Sequence, residues 1–360
     1  MGEYMEGLRL FAIATLLPAA LILCSVAWGG VWAWAAIGYL TVLVFLLDRL
    51  VAIACENTDP EAEFPAANSL LVALGVLHFL LLGLGLWAAA GSSGLSGLER
   101  TLVLVACGLV FGQISHPVAH ELIHRHARAL RVLGRLIYTS MLVGHHASAH
   151  LRVHHVHVGS DADPNSARPG EGFYRYALRA SRQSFFAGLA AENRLRAGRA
   201  RSLASHPYTL YIGGAVATMA AAYAFGGETG LYALLALALY AQMQILMSDY
   251  VQHYGLRRAT LPDGRLEPVG PQHSWNAPHW FSSALMLNAP RHSDHHVTPT
   301  RAYPALQLDP DAMPMLPYPL PFMAALALMP TLWRRVMDKR CGKWRDMSSG
   351  KRSPVAMPGE

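Results

Sequence analysis

The sequence predicts an all-α integral membrane protein, with six transmembrane helices and a histidine-rich cap on one side. Three observations carry this prediction. The 360 residues are 53% hydrophobic and only 14% charged, with a mean hydropathy of +0.25, whereas a soluble domain usually carries about a quarter charged residues. The apolar residues gather into runs close to the ~20 needed to cross roughly 30 Å of hydrocarbon. Of the 18 histidines, only His78 precedes position 116; the other 17 fall between His116 and His296.

The first span, 8–28, is almost wholly apolar after Arg9 and ends at Gly29-Gly30. The second, 31–47, is closed by Asp48 and Arg49, so the two form a hairpin. Acidic Glu3 and Glu6, and the continuation into a second pass, exclude a cleaved signal peptide. A polar, proline-bearing loop (56–65) leads to the third span, 68–90, and G-S-S-G-L-S-G turns the chain into the fourth, 101–119. Pro117 is a candidate kink there. Residues 120–208 are too polar to span, although 136–143 reads as an interfacial helix or the roof of a site. The fifth and sixth spans, 208–225 and 230–252, flank G-G-E-T-G. The apolar stretch 316–333 is interrupted by Pro317, Pro319, Pro321 and Pro330, so it reads as lying in the interface. A single domain, 1–338, is expected, followed by a basic, flexible tail over 339–360.

The sequence pI of about 9.2 invites a nucleic-acid reading, but the charges are segregated. Thirteen Lys and Arg lie between 120 and 208, thirteen lie after 250, and the others are Arg9, Arg49 and Arg100. The positive-inside rule produces this pattern, which excludes nucleic acid as the partner. It sets both termini and the histidine region on the cytoplasmic side of an inner membrane. The four cysteines form no C-x-x-C pair, which argues against a disulfide framework or a thiolate metal site.

Four histidine groups then fall on one membrane face: His120-x-x-x-His124, His150-x-x-x-His154-His155, the lone His253, and His292-x-x-His295-His296. Spacings of three and four return imidazoles to one helix face. An adjacent pair diverges by about 100°, which suits two different ions. Nine imidazoles exceed what one ion holds, so two metals are the natural count. Imidazole suits zinc, copper, iron and nickel alike. Residues 120–124 also spell the H-E-x-x-H of zinc proteases, but seven further histidines and six spans outweigh that reading.

The strings H-E-L-I-H-R (120–125), A-H-L-R-V-H-H-V-H-V (149–158), Q-H-Y-G-L (252–256) and R-H-S-D-H-H (291–296) resemble those of the membrane-bound non-haem diiron alkane 1-monooxygenase and xylene monooxygenase family. The resemblance extends to 161–176, H-S-W-N (273–276) and R-V-M-D (335–338). Ala149 and Gln252 stand where the alkane branch usually has glutamate, as in the xylene branch, whereas R-H-S-D-H-H is of the alkane type.

The resemblance implies two irons held by His120, His124, His150, His154, His155, His253, His292, His295 and His296, with O2 as co-substrate. The reaction implied is hydroxylation of a terminal methyl group of an alkane or alkyl-aromatic hydrocarbon drawn from the membrane lipid. No flavin or Fe–S motif is present, so electrons are expected from rubredoxin or a ferredoxin-type donor with its NAD(P)H-dependent reductase. The arginine-rich face suits an acidic partner. His116, His126, His145, His146, His157, Asp249 and Asp294 are candidates for orienting the ligands. Trp32, Trp34 and Tyr39 are candidate gates of a substrate channel. A lipid desaturase, decarboxylase or fatty-acid hydroxylase would use the same site. A metal transporter or sensor would instead carry its histidines within the spans.

Overall fold

The computed structural model describes residues 2–51, 56–91, 93–198 and 202–348, and helices carry the described architecture, with two isolated β-bridges besides. Four long apolar helices come first: α1 (Gly2–Trp28), α2 (Val31–Leu50), α3 (Pro65–Ala89) and α4 (Gly97–His124). Then come α5 (Arg128–Ser140), a helical run α6 over 146–157, and α7 (Phe173–Arg196). The long α8 (Pro207–His253) is followed by the short α9 (Trp280–Leu285) and α10 (His292–Val297), then α11 (Leu320–Ala327) and α12 (Pro330–Ser348).

Five of these helices, α1 to α4 and α8, are long and apolar enough to cross a membrane. Six separate spans were expected; the difference lies in α8, where 47 residues run together across a break at Gly227 (φ 60°, ψ −148°). Only glycine adopts that conformation cheaply. A methyl on Gly230 would collide with the backbone of Ala222, so the two arms, 207–226 and 228–253, fold closely against each other.

The turn between α1 and α2 uses two left-handed glycines, Gly29 (φ 62°) and Gly30 (φ 63°). It is tied to α4 by Glu99, whose Oε1 accepts from Gly30 N at 2.6 Å. The other oxygen of Glu99 accepts from Ser96 N at 2.8 Å, and Ser96 Oγ accepts from Glu99 N, which closes a capping box at the start of α4.

Where Pro117 predicted a kink, the irregularity sits one step earlier: residues Phe111–Ser115 form a π turn before His116–His124 resumes as α-helix. Proline offers no N–H to the preceding turn, and the ladder slips to wider bonds there. The interfacial reading of 316–333 resolves into α11 and the start of α12. The flexible tail expected from 339 begins instead as helix. Cys341 is buried beside Gly255, and Trp344 Nε1 donates to Gln272 O at 3.1 Å, so this stretch packs on the cap. Residues 349–360 lie outside the described residues.

The end of the bundle that carries the histidine-rich segments is laced together by polar contacts. Asp48 at the end of α2 accepts from Phe281 N (2.9 Å) and Ser282 N (3.2 Å) of α9. Asn57 donates to Leu308 O at 2.8 Å, and fully buried Arg291 donates to Asn57 Oδ1 at 2.8 Å. The 56–58 loop, the histidine-bearing segments and the C-terminal third therefore share one end.

Candidate metal centre

All nine sequence-predicted histidines meet at that end, in two groups. His120, His124, His150, His155 and His295 form one; His154, His253, His292 and His296 form the other. Within each group one nitrogen per residue lies within 4.8 Å of all the others. Much of the sorting follows from local helix geometry, but two expected pairs are split: His150 and His154, across a π turn, and His292 and His295, three apart, each go to different groups. His120 and His124 are one turn apart on α4, so both join the first group. His154 and His155 are consecutive, diverge by about 100°, and go to different groups, as do His295 and His296.

The nitrogens converge more closely than protons alone can satisfy. His150 Nε2 stands 3.1 Å from His124 Nε2 and 2.9 Å from His155 Nε2, which in turn is 3.2 Å from His295 Nε2. In the second group His292 Nε2 lies 3.0 Å from His253 Nε2 and 3.1 Å from His296 Nε2. A ring nitrogen carries one proton or one lone pair and pairs well with one like neighbour, not two. His120 Nε2 and His154 Nε2 are buried with no hydrogen-bond partner among the described residues. Imidazole nitrogens at about 2.0–2.1 Å from a shared metal ion stand about 3 Å apart across an adjacent edge, which is the spacing found. The donor set fits two metal ions.

Burial, followed by repulsion among the rings, pulls the pKa of His150, His155, His295 and His296 well below the ordinary value, so they are neutral and ready to ligate. His154 differs: burial lowers its pKa, but the carboxylate of Asp163 more than offsets this and raises it. Asp163 holds His154 Nδ1 at 2.8 Å and itself accepts from Ser166 Oγ (2.6 Å) and Asn165 N (3.0 Å). Burial alone would push its carboxyl up, yet His154 and these donors hold it below the usual range.

Sequence reasoning missed Asp163 because a loop separates it from His154, and no helical spacing connects them; the 161–176 string was the available signal. H-S-W-N also acquires a role. Asn276 donates to Ser293 Oγ (2.7 Å) and accepts from Ser293 N (2.9 Å), fixing α10, and Trp275 Nε1 donates to Tyr254 O at 2.9 Å. The R-V-M-D aspartate, Asp338, accepts from Tyr254 Oη at 2.6 Å.

Of the expected orienting residues, two histidines are well placed. His116 Nδ1 meets Tyr138 Oη at 3.0 Å, with its ring 6.1 Å from that of His120. The His146 ring stacks 5.5 Å from His150. The others need correction. His126 is exposed beyond the end of α4, His145 packs on Phe185 at 5.1 Å, and half-buried His157 offers its backbone carbonyl to Ser160 rather than its ring to the centre. Asp249 accepts from Asn165 Nδ2 at 2.6 Å and so supports the Asp163 loop, acting on His154 through its charge rather than through a hydrogen bond. Asp294 pairs with Arg301 and accepts from Gln307 N at 2.9 Å; its neighbours draw it away from the rings.

Beyond the cap lies a cavity of about 490 Å³ among α2, α4, α8 and α11, lined by Leu40, Phe45, Leu109, Gln113, Met247 and Met286 among others. The expected gates do not line it. Trp32 and Trp34 are exposed, as residues facing lipid would be, and buried Tyr39 donates to Ala14 O at 3.1 Å and packs on Phe281.

Helices apolar and long enough to cross a membrane, with two adjoining histidine groups that could each hold a metal ion, place the chain among membrane proteins with a dinuclear-type donor set. Comparison with known proteins narrows the class. The fatty acid desaturase family profile matches residues 99–325. Alkane 1-monooxygenase 2 of Pseudomonas aeruginosa is 30% identical over 319 residues, covering 86% of this chain and 84% of that protein. Alkane 1-monooxygenase of Ectopseudomonas oleovorans is 29% identical over 360 residues (95% and 88%), and the xylene/toluene monooxygenase hydroxylase component XylM of Pseudomonas putida is 24% identical over 367 (99% and 93%). The chain belongs to the fatty acid desaturase family and, within it, to the alkane 1-monooxygenases.

Proposed function

We propose that this enzyme hydroxylates a terminal methyl group of an alkane or alkyl-aromatic hydrocarbon, using O2 and two irons held by the nine histidines. The observation that carries the reading is the convergence of those nine imidazoles into a group of five and a group of four beside an apolar cavity, in a chain related to alkane 1-monooxygenases and XylM. When bound, the irons supply the oxygen activation that an inert C–H bond requires. The protein does the rest. The apolar cavity takes the hydrocarbon from the bilayer, burial keeps water from the reacting end, and Asp163 holds the His154 ring by its Nδ1 proton so that Nε2 faces inward, free to bind.

The two arms of α8 are read as separate passes, giving six. The arginine distribution then sets both termini and the metal centre in the cytoplasm. Electrons come from rubredoxin or a ferredoxin-type donor with its NAD(P)H-dependent reductase. The test is expression with a rubredoxin system in cells fed short to long alkanes, toluene and xylene, with products read by gas chromatography and iron by elemental analysis. About two irons per chain and oxygen-dependent primary alcohols are expected; iron-free protein or no alcohol from any substrate overturns the reading.

A further inference from the structure

The cavity is mostly apolar, and among the described residues that line it one buried polar side-chain atom has no partner. Four aliphatic hydroxyl or amide side chains line it: Thr41, Gln113, Gln244 and Ser248. Three of them are hydrogen-bonded within the protein. Thr41 Oγ1 donates to Ile37 O at 2.6 Å, Gln244 Nε2 to Gly108 O at 2.8 Å, and Ser248 Oγ to Gln252 Oε1 at 2.8 Å. Gln113 is 8% exposed, and its Oε1 is buried with no partner among the described residues.

An amide carbonyl buried without a donor is unfavourable, and this one belongs to a side chain that lines a ligand-sized space. Gln113 sits seven residues before His120 on α4, and Ser248 five before His253 on α8. At a rise of about 1.5 Å per residue these positions are roughly 7–11 Å along the helix axes from the metal-binding imidazoles. Of the polar lining residues on α4 and α8 these two stand nearest in sequence to a metal-binding histidine, and Leu109, Leu40 and Phe45 line the cavity with them.

We infer that Gln113 is a hydroxyl-binding subsite, holding the head of a primary aliphatic alcohol at the metal end of the cavity while its alkyl tail lies along the apolar walls. A hydroxyl both donates and accepts, so it satisfies the amide in either orientation; an alkane satisfies neither. The inference rests on the proposed alkane oxidation for its biological setting, since the product of that reaction is such an alcohol. The same chemistry is met by alcohol arriving from the lipid.

The test compares wild type with Gln113→Leu, which keeps the size and removes the amide, and with Gln113→Asn as a second polar variant. Purified protein in lipid nanodiscs is equilibrated with radiolabelled n-decane, which is displaced by unlabelled decane or 1-decanol. The expected result is that 1-decanol displaces the label from wild type about five- to ten-fold better than from Gln113→Leu, while unlabelled decane displaces it equally from both. Partial retention of the preference in Gln113→Asn supports the amide. Equal displacement by the alcohol in wild type and Gln113→Leu overturns the inference, as does a parallel change for alcohol and alkane. This arm needs no turnover, so it reads the subsite even if the proposed reaction fails. A second arm separates the sources: progress curves of wild type that bend as alcohol accumulates, and straighten in Gln113→Leu, assign the subsite to product. Curves that are linear in both, with displacement by added alcohol intact, assign it to alcohol from the lipid.

Discussion

His154 Nδ1 stands 2.8 Å from a carboxylate oxygen of Asp163, and both side chains are almost sealed from solvent. The pair fixes which ring nitrogen points inward. With the proton shared toward Asp163, His154 Nε2 faces its three companions His253, His292 and His296. Asp163→Asn keeps the shape but not the charge, and it permits the amide to present a donor to the ring. Partners of this kind are worth about 10–100-fold in metal affinity. The variant is expected to lose metal from the group of four first, read as iron per chain during dialysis against a graded chelator. Retention of wild-type affinity would remove Asp163 from the centre.

Separate groups predict separable metals. His253→Ala leaves three imidazoles in the second group and all five in the first, so iron should fall from about two to about one per chain. His126→Ala and His157→Ala should retain both metals, because one side chain is exposed and the other is not drawn into either group. Elemental analysis of the three variants side by side checks the assignment; loss of metal in His126→Ala would show that proximity in sequence had been the better guide.

Away from the metals, Glu171 predicts the acid limit of the cap. Its two carboxylate oxygens accept from Arg179 at 2.9 and 2.7 Å, and Arg168 N donates at 3.0 Å. Burial would raise its pKa, but the Arg179 guanidinium and the backbone donor outweigh this and hold it below the ordinary value. The pKa of Arg179 is raised by the same contact. A carboxyl depressed in the folded state stabilises above its unfolded pKa, and that contribution is lost as pH falls through the depressed value. Glu171→Gln should therefore cost about 1.5–3 kcal/mol at neutral pH and progressively less in acid, where the wild type loses the same interaction. Thermal melts of both proteins from pH 7 down to about pH 3 test this; a difference that stays constant with pH would refute it.

The legible and the hidden parts of this protein divide along physical lines. The nine histidines could be read because their type announces their chemistry and helical spacing separates neighbours, although the π turn over His150–His154 sends that i, i+4 pair to different groups and joins His150 with His155. The apolar spans could be read because lipid demands long uninterrupted runs. Asp163 could not, since its partner is reached through a loop whose path no periodicity encodes. Asp249 and Asp294 looked equally suitable, yet Asn165 and Arg301 claim them, and those competing partners are tertiary. Trp32 and Trp34 fail as gates for a similar reason. Bulk near a helix end says nothing about which face meets the lipid.

The cavity itself offers the sharpest test of how this bundle sets substrate size. Gly108 and Gly112 are one turn apart on α4 and receive Tyr240 and Gln244, likewise one turn apart on α8; a methyl on Gly108 would overlap the Tyr240 ring, and one on Gly112 the Gln244 amide. Small residues at this spacing let membrane helices approach closely. The two glycines differ in consequence. The amide of Gln244 is the far end of a flexible side chain that lines the cavity, so Gly112→Ala should displace it into the space the substrate occupies. The aromatic ring over Gly108 has no such freedom, and Gly108→Ala should cost stability, about 1–3 kcal/mol. One methyl group of lost depth is worth about 1–3 kcal/mol of discrimination, so Gly112→Ala is expected to lower the ratio of kcat/KM for long over short alkanes by roughly ten-fold with iron content unchanged. A uniform fall across all chain lengths would instead mean that the helices had moved apart, and the cavity wall would not be the determinant.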